Sequence, residues 1–311
     1  MIFMYNIIQK RKIWLSLSGL LVAASIILLV AFGLNFGIDF TGGGLMEIKF
    51  LGAKPTTEEV KTALADLDLK SLTVQPAGED GMLLRFQDIS EEEHQEILKR
   101  ISGLQSKNGS TEAGQDGREP RIDELRFDSV GPSIGEELKR KSVYAIFFVL
   151  IAIVLYIAWA FRKVSKPIVS WKYGVVAIIT LFHDVLITIG VFVILGKFFG
   201  MEVNTPFVAA ILTVIGYSVN DTIVVFDRIR ENLPKSEEDF ESTINTSVNQ
   251  TVTRSINTSA TTLAVLLSIV LFGGHTIQPF ALALSIGVFV GTYSSIFLAS
   301  PLLVVWEKWK S

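Results

Sequence analysis

The sequence contains no cysteine and only three histidines. A disulfide scaffold is therefore excluded. No Cys/His spacing suited to a metal site, no Walker A pattern and no GxSxG element occurs in it. Charge is also scarce. Asp, Glu, Lys and Arg make up 19% of the 311 residues, against about 25% in ordinary soluble domains. The shortage is concentrated, since Ser255–Trp306 is a stretch of 52 residues without one of them. No soluble helix or strand accounts for such a run. With 50% hydrophobic residues, the chain is also too apolar to be disordered. These absences point to a multi-pass membrane protein.

A membrane-spanning helix needs about 20 apolar residues, and charge-poor stretches mark six candidates. The first closes an N-terminal segment 1–34. The others cover about 142–161, 173–196, 203–226, 255–273 and 279–306 within a region 138–311. Gly273-Gly274 and Pro279 split the longest run into two. The runs are continuous rather than alternating, which argues against barrel strands. The first run exceeds the apolar core of a signal peptide and reads as a retained anchor.

Orientation follows from the basic residues. With the N-terminus in the cytoplasm, the cytoplasmic loops hold Arg162, Lys163, Lys166, Lys172, Arg228, Arg230, Lys235 and Arg254, and Lys308 and Lys310 end the chain on that side. The short exported loops hold only Lys197. Lys139, Arg140 and Lys141 disagree, but they follow a long insert, and long inserts cross largely regardless of charge.

That insert, residues 35–137, carries 21 acidic and 11 basic residues, a net charge of −10. Nucleic acid is not a suitable partner for it. Gly44–Leu51 alternates and reads as a strand. Thr56 and Thr57 open an amphipathic helix, and Ser71–Gln75 and Met82–Phe86 read as short strands around a turn. Ser90-Glu91-Glu92-Glu93 opens a second helix with a capping box. Gln105–Pro120 reads as a loop, and Arg121–Val130 as a last strand. The order βαββαβ predicts a ferredoxin-like split βαβ domain. Its one histidine, His94, is expected on a solvated helix face.

Ionisable groups within spans are costly and usually functional. His183 and Asp184 lie mid-way along the third span, and Asp221 lies in the fourth beside Asn220. Arg254 opens the fifth span, with Thr258, Thr261 and Thr262 on one face by helical spacing. Two readings stand. Asp221 and Arg254 form a static interhelical pair, or Asp221 takes up and releases an ion while Arg254 pairs with it intermittently. In the sixth span Ala283, Gly287, Gly291, Ser295 and Ala299 recur every fourth residue, a stripe suited to close helix packing.

Several segments together are distinctive. Phe36-Gly37-Ile38-Asp39-Phe40-Thr41-Gly42-Gly43 follows the first span, and Val130-Gly131-Pro132 precedes the second. Leu181-Phe182-His183-Asp184 lies in the third span, Val214–Asn232 covers the fourth, Thr253-Arg254-Ser255 with Thr258-Ser259 opens the fifth, and Phe272-Gly273-Gly274 closes it. Over nearly the whole chain this resembles the SecF members of the SecD/SecF family of bacterial protein-export membrane proteins, which are similar to resistance-nodulation-division transporters. The resemblance implies a location in the bacterial cytoplasmic membrane and a SecD partner. It also implies association with the SecYEG channel, work on unfolded preprotein driven by the ion-motive force, and no cofactor or enzymatic activity. It maps ion passage onto Asp221 and Arg254 and leaves H⁺ and Na⁺ both open. The Gly42–Gly44 run and Gly131-Pro132 read either as hinges or as turn residues at a membrane surface. The rival readings are an ion-driven drug or lipid exporter, a non-transporting assembly factor, and an intramembrane protease using Asp184 and Asp221.

Overall fold

A computed structural model describes residues 5–67, 69–87, 89–108, 122–160, 170–274 and 277–308. The expected loop basic residues Arg162, Lys163 and Lys166, the break at His275-Thr276, and Lys310 lie outside them. In chain order the elements begin with helix α1 (Arg11–Phe32) and a short helix α2 (Ile38–Thr41). Next come β1 (Gly43–Phe50), α3 (Thr57–Leu64), β2 (Thr73–Ala77), β3 (Gly81–Phe86), α4 (Glu91–Asn108) and β4 (Ile122–Val130). The chain continues with α5 (Pro132–Ala160), α6 (Ser170–Phe199), α7 (Thr205–Asn232), α8 (Phe240–Phe272) and α9 (Gln278–Ser294). A π-helical turn (Ser295–Ala299) then leads to α10 (Ser300–Lys308). Among the described residues six helices or helix pairs are long and apolar enough to cross a membrane: α1, α5, α6, α7, α8 and α9–α10. The chain divides into two compact units, Met1–Asn35 with Ser142–Ser311, and Phe36–Lys141.

The smaller unit is a four-stranded sheet in the order β2-β3-β1-β4, with every neighbouring pair antiparallel. Together with α3 and α4 this is the expected split βαβ arrangement. Alternation along β1 and β3 sends Met46, Ile48, Met82, Leu84 and Phe86 inward, where they meet Val60 and Leu64 of α3 and Ile97 and Ile101 of α4. Both helices open with reciprocal caps. The Thr56 backbone N–H donates to Glu59 Oε2 at 2.7 Å while the Glu59 N–H donates to Thr56 Oγ1 at 3.2 Å, and Ser90 and Glu93 repeat the pattern. The second helix extends to Asn108, into the expected loop, and residues 109–121 lie outside the described set.

His94 departs from expectation. It is 6% exposed, with its ring stacked on Phe127 of β4 at 3.9 Å between centroids and 7° between planes. Nε2 lies 2.8 Å from Glu124 Oε1, and Nδ1 lies 3.3 Å from Glu91. The helix face is acidic in sequence, but β4 closes over it. Hydrogen bonds from Gln95 and His94 hold the Glu91 carboxyl below the usual carboxylate range. His94→Ala is expected to cost on the order of 2 kcal/mol, the sum of a lost ring contact and a charge-assisted hydrogen bond. A lowered unfolding temperature of the intact protein, unmatched by the neighbouring exposed Gln95→Ala, is the check.

In the larger unit α6, α7 and α9–α10 carry most of the buried side chains, while α1, α5 and α8 expose broad apolar faces such as Leu20, Val30, Phe148, Leu155 and Val265. Such faces suit lipid or a partner's helices. The small-residue stripe of α9 does pack: Ala283, Gly287, Gly291, Ser295 and Ala299 are all buried. A Cβ on Gly287 would lie 2.6 Å from Val214 Cγ1 and nearer still to Cγ2, and one on Gly291 would lie 3.2 Å from Ser218 Cβ. The backbones of α7 and α9 therefore approach as closely as glycine allows. Pro301 explains the π turn that follows. It has no N–H for the carbonyl four residues back and its ring crowds that turn, so the helix widens just before it.

Helix α8 starts at Phe240, well before the expected span. Its first turns are polar yet buried, with Thr243, Asn245, Ser247 and Thr251 inside. The N-terminal segment caps this part: Asn245 Oδ1 accepts from the Ile7 and Ile8 N–H groups at 3.0 and 3.2 Å, and Arg11 pairs with Glu241 at 3.0 Å.

Candidate ion-coupling site

Asp221 is 8% exposed on the inward face of α7. Its Oδ1 accepts a hydrogen bond from Ser255 Oγ of α8 at 2.7 Å, and its Oδ2 accepts from Ser295 Oγ at the start of the π turn. Among the described residues no cation pairs with it. Arg254 faces outward and is exposed. The difference from the expected Asp221–Arg254 pair is one residue of helix phase. Adjacent helical residues point about 100° apart, and the residue that α8 turns toward Asp221 is Ser255. Thr258 and Asn220 are also exposed, and Thr262 is half-buried. The threonine hydroxyls donate to their own helix, Thr258 to Arg254 O and Thr262 to Thr258 O, each at 3.0 Å.

Asp184 is 1% exposed on α6. Its Oδ2 accepts from Ser218 Oγ of α7 and from Ser294 Oγ of α9, the latter at 2.7 Å. Its Oδ1 lies 2.8 Å from His183 Nδ1. When Asp184 is ionised its carboxylate only accepts, and Nδ1 then carries the hydrogen. His183 Nε2 is buried without a partner among the described residues. The imidazole lies over Tyr293 at 6.2 Å, and the Tyr293 hydroxyl reaches Ser18 Oγ at 3.2 Å and Trp14 O at 3.3 Å on α1. His183 and Asp184 thus bond each other although they are consecutive in the chain.

Residues that tie these groups together lie at the end of α9, and of them the sequence pattern marks only Ser295, as a packing position. Thr292, Tyr293 and Ser294 close α9, and Ser295 opens the π turn. Thr292 Oγ1 lies 2.5 Å from Ser259 Oγ, itself 2.9 Å from Tyr217 OH. Tyr293 reaches α1, Ser294 reaches Asp184, and Ser295 reaches Asp221. Four polar residues in succession within the charge-free run were the available signal. Lone hydroxyls on helices usually bond their own backbone, which is why they carry little weight when read alone.

The glycine motifs lie in the smaller unit, where Gly42 and Gly43 are closely packed. Gly37 precedes α2, whose first turn holds Asp39, and the Gly37 carbonyl accepts from Thr41 Oγ1 at 3.1 Å. Gly42 and Gly43 have φ of 73° and 123°, which only glycine adopts without strain. A Cβ on Gly42 would lie 2.9 Å from Pro132 Cα, and one on Gly135 would lie 3.0 Å from Gly42 N. The Gly131 carbonyl accepts from the Ile134 and Gly135 N–H groups, and Pro132 is the first residue of α5, where its fixed φ is preorganised. The entering and leaving strands of the unit are therefore clasped backbone to backbone, with Gly43 registered against Val130.

Comparison with known proteins places this arrangement. The C-terminal model of the protein export membrane proteins SecD/SecF matches residues 111–309, and the SecD/SecF GG motif model matches residues 27–50. The chain is 45% identical to the protein translocase subunit SecF of Thermobaculum terrenum, covering 98% of this chain and 95% of that one. It is 40% identical to SecF of Anaerolinea thermophila, over 99% and 96%. It is 36% identical to the translocase subunit SecDF of Brucella abortus, over 95% of this chain but 36% of the longer one. The crystal structure of SecDF from Thermus thermophilus, a translocon-associated membrane protein, superposes with a TM-score of 0.82 at 33% identity, covering 98% of this chain and 39% of that one. The chain belongs to the SecD/SecF family of protein-export membrane proteins.

Proposed function

We propose that this chain is the SecF partner of a SecD subunit. In this reading the pair uses an ion gradient across the bacterial cytoplasmic membrane to promote export of unfolded preprotein through SecYEG, and Asp221 is the group that handles the ion. The observation that carries it is the setting of Asp221. It is a buried carboxylate in a membrane-spanning helix, held by two neutral hydroxyls and by no cation among the described residues. A charge kept at that depth without a structural partner is costly and fits an ion pathway better than a static brace. Asn220, Arg254, Thr258 and Thr262 form the outer side of the same site, and His183 and Asp184 an inner one.

Two features support SecD as the partner. Relatives exist as single SecDF chains of which this chain matches only part. In addition Thr213, Gly216 and Asn220 of α7 join Arg254, Asn257, Thr258 and Thr261 of α8 in an exposed polar face. Polar groups facing hydrocarbon are penalised, so SecD covers this face. The positive-inside distribution puts both termini in the cytoplasm and the 36–141 unit on the exported side.

One elementary charge crossing 100 mV releases about 2.3 kcal/mol, comparable to the few kcal/mol that separate two conformations of a protein. The exported unit is joined to the membrane unit through α1 and α5, and movement of those helices is the route to it.

The test is preprotein translocation into inverted membrane vesicles at constant ATP, with the ion gradient applied or collapsed. Arg254→Gln is expected to reduce translocation to the level seen with the gradient collapsed, while Arg254→Lys retains part of the increment. If both variants respond to the gradient as wild type does, Arg254 has no part in coupling.

A further inference from the structure

Resting on the reading of Asp221 as the ion-handling group, we infer that Asp184 is a second proton-binding site, and that Ser294 and Ser295 link its protonation to that of Asp221. Each serine has two acceptors. Ser294 Oγ lies 2.7 Å from Asp184 Oδ2 and 3.0 Å from Gly291 O. Ser295 Oγ bonds Asp221 Oδ2 and lies 3.0 Å from Thr292 O. A hydroxyl has one hydrogen to give and two lone pairs to receive. When the carboxylate is ionised, the serine donates to it. When the carboxyl oxygen binds a proton, that O–H donates to the serine and the serine hydrogen turns to the backbone carbonyl. Neither state strands a buried donor, so each carboxyl changes charge without the penalty of an unpaired polar group. Among the described residues the other hydroxyls, Ser218 and Ser255, have only the carboxylate as acceptor.

The two switches are mechanically joined. Ser294 and Ser295 are consecutive, and the π turn begins at Ser295. The second link is α7, where Ser218 on Asp184 and Asp221 itself are three residues apart, about one helical turn. The two carboxyls are thus bridged through α7 as well as through the serine pair. The groups facing Asp184 are His183 on its own helix, Ser218 and, a turn on, Asp221 from α7, and Ser294 with the phenol Tyr293 from α9. Helix α1 presents Trp14 and Ser18 at the far side of Tyr293, and the Arg254 guanidinium of α8 faces away. Among the described residues His183 is thus the one basic group at the pair. Its unpartnered Nε2 offers a point where a proton enters or leaves: a proton accepted at Nε2 is matched by release of the Nδ1 hydrogen to Asp184 Oδ1, leaving a neutral imidazole and a carboxylic acid, and a half-turn of the carboxyl about its Cβ–Cγ bond then brings that O–H to Ser294.

Infrared difference spectroscopy on the purified complex with its partner, across a pH titration, reads the carboxylic-acid C=O stretch directly. Two titrating bands are expected, one lost in Asp184→Asn and the other in Asp221→Asn. Ser294→Ala should shift the midpoint of the Asp221 band although it does not touch Asp221, and Ser294→Thr, which keeps the hydroxyl, should restore it. The inference is overturned if Asp184→Asn removes no band, or if Ser294→Ala leaves the Asp221 titration where it was. Should Asp184→Asn fail to accumulate, the Ser294 pair decides alone. Loss of transport coupling is measured separately, so intact bands with no gradient-driven export would defeat the export reading and leave the paired site standing.

Discussion

Asp221→Asn is expected to abolish the gradient-dependent fraction of preprotein translocation and to leave ATP-driven translocation and co-purification with SecD unchanged. The substitution is nearly isosteric. Its carbonyl oxygen can accept from Ser255 as Oδ1 does, and its amide can donate to Ser295, whose hydrogen then turns to Thr292 O, 3.0 Å away. The packing of α7 against α8 and α9 is kept, and only the charge and the capacity to bind an ion are lost. A carboxylate braced by a buried cation would behave differently, since neutralising it strands that cation. With no cationic partner left unpaired, neutralising a buried carboxylate would stabilise the bundle, since the desolvation penalty of the charge disappears. A higher unfolding temperature with no gradient response is therefore the combined expectation. Unchanged gradient-driven export would move the coupling role to SecD or to His183 and Asp184.

Gly287→Val is expected to have the second large effect, for a steric reason. A Cβ at position 287 overlaps the buried Val214 side chain, 2.6 Å from its Cγ1. Overpacking a core in this way costs about 1–3 kcal/mol, and the strain can be relieved only by separating α9 from α7. That separation pulls Ser295 from Asp221 and Ser294 from Asp184. Little folded protein and no gradient response are expected. Gly291→Ala, whose Cβ would meet Ser218 Cβ at 3.2 Å, should destabilise less than Gly287→Val. Adding Val214→Ala to Gly287→Ala opens the overlapping position and should recover folded protein, which the amount of monodisperse detergent-solubilised complex will show. Equal yields of wild type and Gly287→Val would mean that the α7–α9 contact is looser than the stripe implies.

Much of this architecture was legible in the residues. Charge-free runs mark helices because a charge in hydrocarbon is costly, and the βαββαβ order emerges from alternation in β1 and β3 and from two capping boxes. Asp221 is visible for the same reason as the spans, as a charge where none belongs. Other features depend on contacts between distant segments. His94 is buried because Phe127 and Glu124, some thirty residues on, close over it. The polar start of α8 is helical because Asn245 is satisfied by the N-terminal segment, over two hundred residues away. The one-residue difference between Arg254 and Ser255 is a matter of helix rotation, which neighbouring helices set. The serine pair of α9 gains its meaning only from the two carboxylates it meets, one on α6 and one on α7. The glycine run reads in sequence either as a hinge or as turn residues, and the clasp that Gly42 and Gly135 permit depends on a contact between segments about ninety residues apart.

The proposed mechanism turns on the passage of an ion at Asp221. Its most direct test is ion flux through the SecD-paired complex reconstituted in liposomes, with an imposed pH or sodium gradient followed by an entrapped fluorescent indicator. Wild type is expected to dissipate one of these gradients, and Asp221→Asn, present in equal amount and with SecD still bound, to do so no faster than empty liposomes. Equal flux through both proteins would contradict the mechanism.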